Sequence, residues 1–339
     1  MLACYPGARP VAETLLGLLK EHGVLRLGVR VPYERRKLGE LGFQYLGVEM
    51  LVREYSVGEG ARRGRRVFEC ENASIIAGSG DEESTHVVTR SGGLFDYGDL
   101  EERLRDPFPL IVVDLGLMSI HTPEELSSLR IQLAMSLTEA RRYLWDRHLA
   151  LTSAPPDTGE WLQPVTGRNK MIITREKPGE LLWRMRADKV IILRPDAREE
   201  LMPRDLLSAH AFVLGGIVDK VPRPGISRML DHSVPWGEPR RLALRRSVIG
   251  VPERIHRIVG ALLRARLDLY GLVEKALVEY MTRQDRVMRI FYELQKRRRR
   301  RLSLCRALEE FRWLRADRRD VELAAKRAHV DLVDDCGEG

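Results

Sequence analysis

The segment A-F-V-L-G-G-I-V-D-K, residues 211–220, brings together residue types that could do chemistry. An apolar run over 211–214 reads as a buried strand. It delivers two glycines, Gly215 and Gly216, and then a carboxylate, Asp219. Glycine lets a backbone approach a ligand closely or adopt a positive φ. A carboxylate behind it can cap a turn, or serve as a general base or counter-charge. In open parallel sheets, ligands bind beyond the carboxyl ends of the strands. Two further strand–loop junctions hold that position, Thr152–Ser153 and Arg194–Asp196. The fingerprints G-x-G-x-x-G and G-x-x-x-x-G-K-[ST] are absent from these loops. No G-x-S-x-G elbow occurs, and the histidines lack metal-ligand spacing. No metal is expected, and the dehydrogenase and NTPase readings lose support.

Alternating strands and helices must position these residues. Residues 110–114 (L-I-V-V-D), 148–152, 170–174, 189–193 and 211–214 read as five strands rich in β-branched and aliphatic residues. Helical segments separate most of them, which predicts an α/β fold with a parallel sheet. T-P-E-E at 122–125 is a capping box with Pro at the first helical position, so a long helix should run from there to about 147. Residues 251–267 read as another amphipathic helix. Ahead of the sheet, 11–22 reads as a helix, and 25–31 and 43–55 as strands. The Gly/Arg-rich stretch 59–66 (E-G-A-R-R-G-R-R) reads as a hairpin tip, and 78–83 and 91–97 as loops. From 268 onward the chain is nearly all helix-compatible, includes K-R-R-R-R-R at 296–301, and should fray over 334–339.

Composition bounds the rest. At 339 residues there is room for two or three domains, and 44% hydrophobic residues fit a globular chain. Net charge is +8, and most of the 57 basic residues are arginines, whose planar forks match phosphate. Arg62, Arg63, Arg65 and Arg66 at the expected tip are candidate RNA contacts. So are Lys296, Arg297, Arg298, Arg299, Arg300 and Arg301 in the basic run. Cys4, Cys70, Cys305 and Cys336 lie far apart without a C-x-x-C pair, and are expected as reduced thiols. Neither a signal peptide nor a run of about 18 apolar residues is present, so a cytoplasmic chain without a membrane partner is expected.

Residues from about 110 to 267 resemble the tRNA purine-9 N1-methyltransferase family of the SPOUT class. The pieces that carry the likeness are V-V-D-L-G-L-M at 112–118, L-A-L-T-S at 149–153 and V-L-G-G-I-V-D-K at 213–220, with R-L-A-L at 241–244 and S-V-I-G-V at 247–251. Their order and spacing, with flanking modules at both ends, resemble the archaeal three-part form. The resemblance implies a parallel sheet with a C-terminal trefoil knot that binds S-adenosyl-L-methionine, and methylation of N1 of the purine at tRNA position 9. Leu151, Thr152, Ser153, Gly215, Gly216, Leu242, Leu244 and Val251 would hold the cofactor. Asp219 would face the accepting nitrogen as the catalytic residue. Asp114 and Gln132 would lie near the target base. Read without the resemblance, Leu242, Leu244 and Val251 are ordinary core residues, Asp114 is a helix cap and Gln132 a surface residue.

The implied organisation is an α+β RNA-binding module over 1–105, the methyltransferase domain over 106–267 and a helical basic module over 268–339. A monomer is implied, with adenine favoured over guanine as acceptor. Two alternatives stay open: a non-catalytic RNA-binding protein that kept the fold, and a methyltransferase of another RNA site.

Overall fold

The computed structural model describes residues 2–30, 35–90, 92–104, 107–217, 233–296 and 301–336. The chain divides into two compact units. One holds Met1–Ile192 with Ser208–Glu238; the other holds Leu193–Leu207 with Pro239–Gly339.

The first unit begins with α1 (Pro10–Glu21), β1 (Arg26–Val29), α2 (Arg35–Arg53), β2 (Ser56–Cys70), β3 (Ala73–Thr89), β4 (Phe95–Asp96) and α3 (Tyr97–Arg103). The four strands form one sheet in the order β1-β3-β2-β4. Residues 43–53, expected as strand, are helical. Phe43, Leu46, Val48, Met50, Leu51 and Val52 are all buried, so the helix shows no polar face to betray its period. Two of the three glycines of α2 are also there for space. Gly42 sits at φ +50 in a kink, against the Phe68 ring, and a Cβ at Gly47 would lie 2.6 Å from Val11 Cγ1 of α1.

The expected hairpin tip at 59–66 lies instead within β2, paired from Glu59↔His86 to Arg66↔Ile76. The turn comes at Glu71, with φ +52. The expected loop at 78–83 is the facing part of β3. Register sets Glu83 opposite Arg63, and Glu82 pairs with Arg66 at 2.8 Å; opposite charges across a ladder favour pairing. Gly64 and Gly80 permit a close strand crossing, since a Cβ at Gly80 would stand 2.5 Å from the Gly64 carbonyl oxygen.

Next come β5 (Leu110–Asp114), α4 (Pro123–Tyr143), β6 (Leu149–Thr152), α5 (Thr158–Thr166), β7 (Ile172–Ile173), α6 (Pro178–Arg184), β8 (Val190–Leu193), α7 (Pro203–Ser208) and β9 (Ala211–Gly215). Strands β8, β9, β5, β6 and β7 lie side by side in that order, every pair parallel. This is the expected α/β architecture. Val112, Ala150, Ile192 and Val213 share one fully buried core with Leu181 and Leu182 of α6. The capping box of α4 is present: Thr122 Oγ1 accepts from the Glu125 N–H, and Glu125 accepts from the Thr122 N–H.

After β10 (Glu238–Arg240) the second unit is mainly helical: α8 (Ile255–Leu267), α9 (Val273–Tyr280), α10 (Arg283–Lys296), α11 (Leu304–Glu310) and α12 (Arg318–Ala328). Two short strands, β11 (Arg301–Ser303) and β12 (Asp331–Val333), pair in parallel. Asp320 is fully buried and accepts from Arg283 Nε and Arg286 Nε, both at 2.9 Å, tying α12 to α10. The tail is anchored as far as residue 336 rather than frayed from 334. Asp334 pairs with Arg318 at 2.6 Å, Asp335 accepts from the Ser303 hydroxyl at 2.9 Å, and Cys336 is bonded to Cys305. Cys4 is likewise bonded to Cys70, so the four expected free thiols are two disulfides. Their sequence separations of 66 and 31 gave no hint that the Cα atoms come within 5.4 and 5.3 Å. No described helix is long and apolar enough to cross a membrane.

One side chain joins the amino-terminal elements to the parallel sheet's first long helix. Gln44 of α2 is fully buried. Its Nε2 donates to the carbonyls of Arg141 (3.1 Å) and Leu144 (2.7 Å) at the end of α4, and its Oε1 accepts from the Ala12 N–H (3.4 Å). Terminal helix carbonyls lack intrahelical partners. Replacing Gln44 by Leu leaves these groups dry and unsatisfied, and should lower stability by about 3 kcal/mol in urea unfolding. A loss below about 0.5 kcal/mol would show that this amide is not the tie between the two parts.

Candidate functional site

At the carboxyl edge of the sheet, register places three of the expected residues in one row. Asp114 is opposite Thr152 on one side and Gly215 on the other. The loops leaving the strands are stitched together by the backbone. The Leu115 N–H donates to the Thr152 carbonyl at 2.9 Å, and the Gly216 N–H to the Asp114 carbonyl at 2.8 Å. Leu151 and Thr152 are fully buried.

Ser153, directly after this row, has φ +48. A left-handed conformation costs a non-glycine residue roughly 1–2 kcal/mol. It is held there because its N–H donates to the Glu176 carbonyl (2.8 Å) and that of Ala154 to the Thr174 carbonyl (3.0 Å). Such strain concentrates at functional sites. Gly216 does not need a positive φ; it needs room. A Cβ there would stand 2.7 Å from Leu115 Cδ2 and 2.9 Å from the Asp114 carbonyl oxygen. Its smallness serves the packing of the strand ends themselves.

Asp114 does not cap the following helix, which Thr122 caps. Its Oδ1 accepts from the Gly116 N–H at 3.2 Å in its own turn. Gln132, on α4, is buried, and its Nε2 donates to Ser128 Oγ at 3.2 Å. The Thr152 hydroxyl is the unusual group here: it is buried with no hydrogen-bond partner among the described residues. Buried polar groups are nearly always satisfied, which sets this hydroxyl at a strand's carboxyl end apart. Asp219 lies outside the described residues, as do Arg297, Arg298, Arg299 and Arg300.

Leu242, Leu244 and Val251 belong to the second unit, on the loop between β10 and α8. Leu242 and Leu244 are buried and Val251 is half-buried. The loop turns tightly, with the Leu244 N–H donating to the Ser247 carbonyl (2.8 Å) and the Ser247 N–H to the Leu244 carbonyl (3.0 Å). The two central residues, Arg245 and Arg246, take φ +48 and +65. Turns of this kind favour Gly, Asn or Asp, so two arginines here are costly. Arg289 of α10 holds the loop from below. It is 1% exposed, and its Nη1 donates to the carbonyls of Leu244 (2.8 Å) and Ile249 (3.3 Å), while Nη2 pairs with Glu293 (2.7 Å). Gly250, at φ +82, is needed because a Cβ would meet Arg289 Cβ at 2.8 Å. Just beyond, His256 is buried. Burial, then the charges of Arg257 and Arg254, push its pKa down to about 4, so its ring is neutral at pH 7. Arg289, Arg245 and Gly250 were not foreseen, because a buried arginine on an amphipathic helix reads in sequence as surface.

The candidate RNA contacts differ in freedom. Arg66 is paired with Glu69 and Glu82, both at 2.8 Å. Arg63 and Arg65 are exposed, and Arg62 is half-buried, its backbone N–H donating to Ser84 Oγ at 3.1 Å. Lys296 ends α10 and Arg301 opens β11, both exposed. A cavity of about 820 Å³ opens elsewhere, beside the amino ends of β6 and β7. Its cations already have partners: Arg147 with Glu101 (2.5 Å), Lys170 with Glu54 (3.2 Å) and Arg184 with Glu176 (2.7 Å). None of the expected cofactor residues lines it, so the carboxyl edge is the better candidate.

The sequence profile of the tRNA (adenine(9)-N1)-methyltransferase N-terminal domain matches residues 11–89. A tRNA (adenine(9)-N1)-methyltransferase of Sulfolobus acidocaldarius is 29% identical over 320 residues, spanning 94% of this chain and 98% of the relative. Along nearly its whole length the chain thus resembles a tRNA position-9 N1-methyltransferase. A second relative, the tRNA (guanine(9)-/adenine(9)-N1)-methyltransferase of Thermococcus kodakarensis, is 32% identical over 176 residues, half of this chain and 46% of its own length. The fold agrees with solved structures of the family. The S. acidocaldarius Trm10 in complex with S-adenosylhomocysteine superposes with a TM-score of 0.70 at 23% identity, covering 94% of this chain and 99% of that one. A dual-specific Trm10 from Thermococcus kodakaraensis gives 0.57 at 20% identity, covering 76% and 96%.

Thr152→Val keeps the side chain's shape and removes the orphan hydroxyl. Stability in urea should hold or rise by up to about 1 kcal/mol, because no internal hydrogen bond is lost. A loss larger than about 1 kcal/mol would mean that the hydroxyl has a partner within the fold.

Proposed function

We propose that this chain is an S-adenosyl-L-methionine-dependent methyltransferase acting on N1 of the purine at position 9 of tRNA. The observation that carries the reading is the likeness to a tRNA (adenine(9)-N1)-methyltransferase along 94% of this chain and 98% of that relative. The row Thr152–Asp114–Gly215 with its orphan hydroxyl supports the same reading from geometry.

When bound, S-adenosyl-L-methionine supplies an electrophilic methyl group. Thr152 offers a dry hydroxyl to the cofactor, and the Leu151–Ser153 backbone lies along its edge. Gly215 and Gly216 pass its methionine part, while Leu242, Leu244 and Val251 give an apolar wall and backbone groups suited to adenine. Asp219 is the catalytic residue. Guanine N1 carries a proton at neutral pH, which Asp219 accepts as the N1–methyl bond forms. Adenine N1 has a free lone pair, and there Asp219 acts as counter-charge to the cationic product. Adenine is the favoured acceptor. Asp114 and Gln132 sit near the target base.

The finer organisation is part of the same proposal. Residues 1–105 and 268–339 flank the methyltransferase domain, 106–267, as RNA-binding modules. The sheet carries a C-terminal trefoil knot, the protein acts as a cytoplasmic monomer, and exposed arginines such as Arg63 and Arg65 hold tRNA phosphates, which position the substrate without reading its sequence.

Nucleoside mass spectrometry on tRNA transcripts carrying adenine or guanine at position 9 tests this reading. Wild-type protein with the cofactor should produce the N1-methylated purine at that position. Asp219→Asn keeps shape and loses basicity, so the rate on guanine-9 should fall at least about a hundredfold, and the rate on adenine-9 by less. Equal rates on guanine-9 for the variant and wild type would remove the base role.

A further inference from the structure

We propose that the turn Arg245–Arg246 is a phosphate-binding site for the RNA substrate, built onto the same loop that carries Leu242 and Leu244. The inference rests on the tRNA methyltransferase reading and adds to it a contact point next to the cofactor loop.

The turn is a poor place for arginine unless the side chains are used. Both residues take left-handed backbone angles, φ +48 and +65, that favour glycine or asparagine. Both side chains are exposed, and neither makes an ion pair among the described residues. The Arg245 guanidinium lies 4.0 Å from the centroid of the Trp313 ring, whose other neighbour is the Arg289 guanidinium at 5.5 Å. Stacking fixes the plane of the fork and leaves its N–H edge for an outside acceptor. A phosphodiester oxygen pair matches that edge.

The backbone beneath is held by other residues. The Arg245 N–H donates to Glu274 Oε1 at 2.8 Å, and Arg289 grips the Leu244 and Ile249 carbonyls. Glu274 thus accepts from the backbone of the turn, and the exposed Arg245 and Arg246 side chains stand on a backbone held in place. The stack also links the loop to Trp313, within the helical segment between α11 and α12. RNA that engages Arg245 and Arg246 thus bears directly on the loop that shapes the Leu242–Leu244 wall.

The test uses the full-length protein and Arg246→Asn, with Arg246→Gly as a second variant. Both substitutions suit φ +65, so a purely structural role predicts an unchanged or higher melting temperature and unchanged behaviour toward tRNA. The proposal instead predicts a KM for tRNA raised about threefold to tenfold, and a slope of log affinity against log salt reduced by about one. The rate at saturating tRNA and the affinity for S-adenosylhomocysteine without tRNA should stay within about twofold, since this residue touches neither reacting atom. Unchanged KM and salt slope in a folded variant would overturn the site. A wild-type protein that methylates no tRNA would overturn the parent reading itself.

Discussion

The candidate site depends on the hydrogen-bonded register of three adjacent parallel strands, β6, β5 and β9. Because Val112 faces Ala150 and Val213, the strand ends arrive together, and Thr152, Asp114 and Gly215 share a row. A slip of one residue would turn Asp114 into the core and bury the loops that follow. The buried aliphatic run of each strand enforces the alignment. The backbone bonds from Leu115 and Gly216 extend the ladder into the loops, so the site is an outgrowth of the sheet rather than an attachment to it.

Much of this was legible in the sequence. The five strands of the parallel sheet and the capping box at Thr122 carry strong local signals, namely β-branched runs and a fixed spacing of cap residues. Of the amino-terminal elements, α1 and β1 were legible, whereas α2, β2 and β3 were not, for physical reasons. Residues 42–52 of α2 are buried on nearly all sides, so they lack the alternation of faces by which helices are recognised. Gly64 and Gly80, which suggested turns, are where two long strands come close enough that a side chain would collide. The arginines of β2 suggested a solvated tip, yet they lie within a strand ladder, Arg63 opposite Glu83 and Arg66 paired with Glu82.

The site was legible unevenly. Residues at strand ends could be placed because strand ends can be placed. Gly216 also has a packing role that the sequence did not show: it makes room for Leu115 and the Asp114 carbonyl. The loop of the second unit carried almost no signal of its own mechanics. Nothing in R-V-M-R-I-F marks Arg289 as the buried residue that grips two loop carbonyls, and nothing in R-R-S-V marks two left-handed arginines. Pairing of cysteines 66 and 31 residues apart is equally invisible until the chain is folded.

The central claim is that the carboxyl edge of this sheet holds the methyl donor, with the Thr152 hydroxyl as one of its polar contacts. Calorimetric titration of S-adenosylhomocysteine into wild-type protein and into Thr152→Val tests it most directly. The account predicts one saturable site per chain without tRNA, and an affinity about fivefold to tenfold weaker in the variant, as expected for one lost hydrogen bond. Absence of binding to folded wild-type protein, or equal affinity in the two proteins, would contradict it.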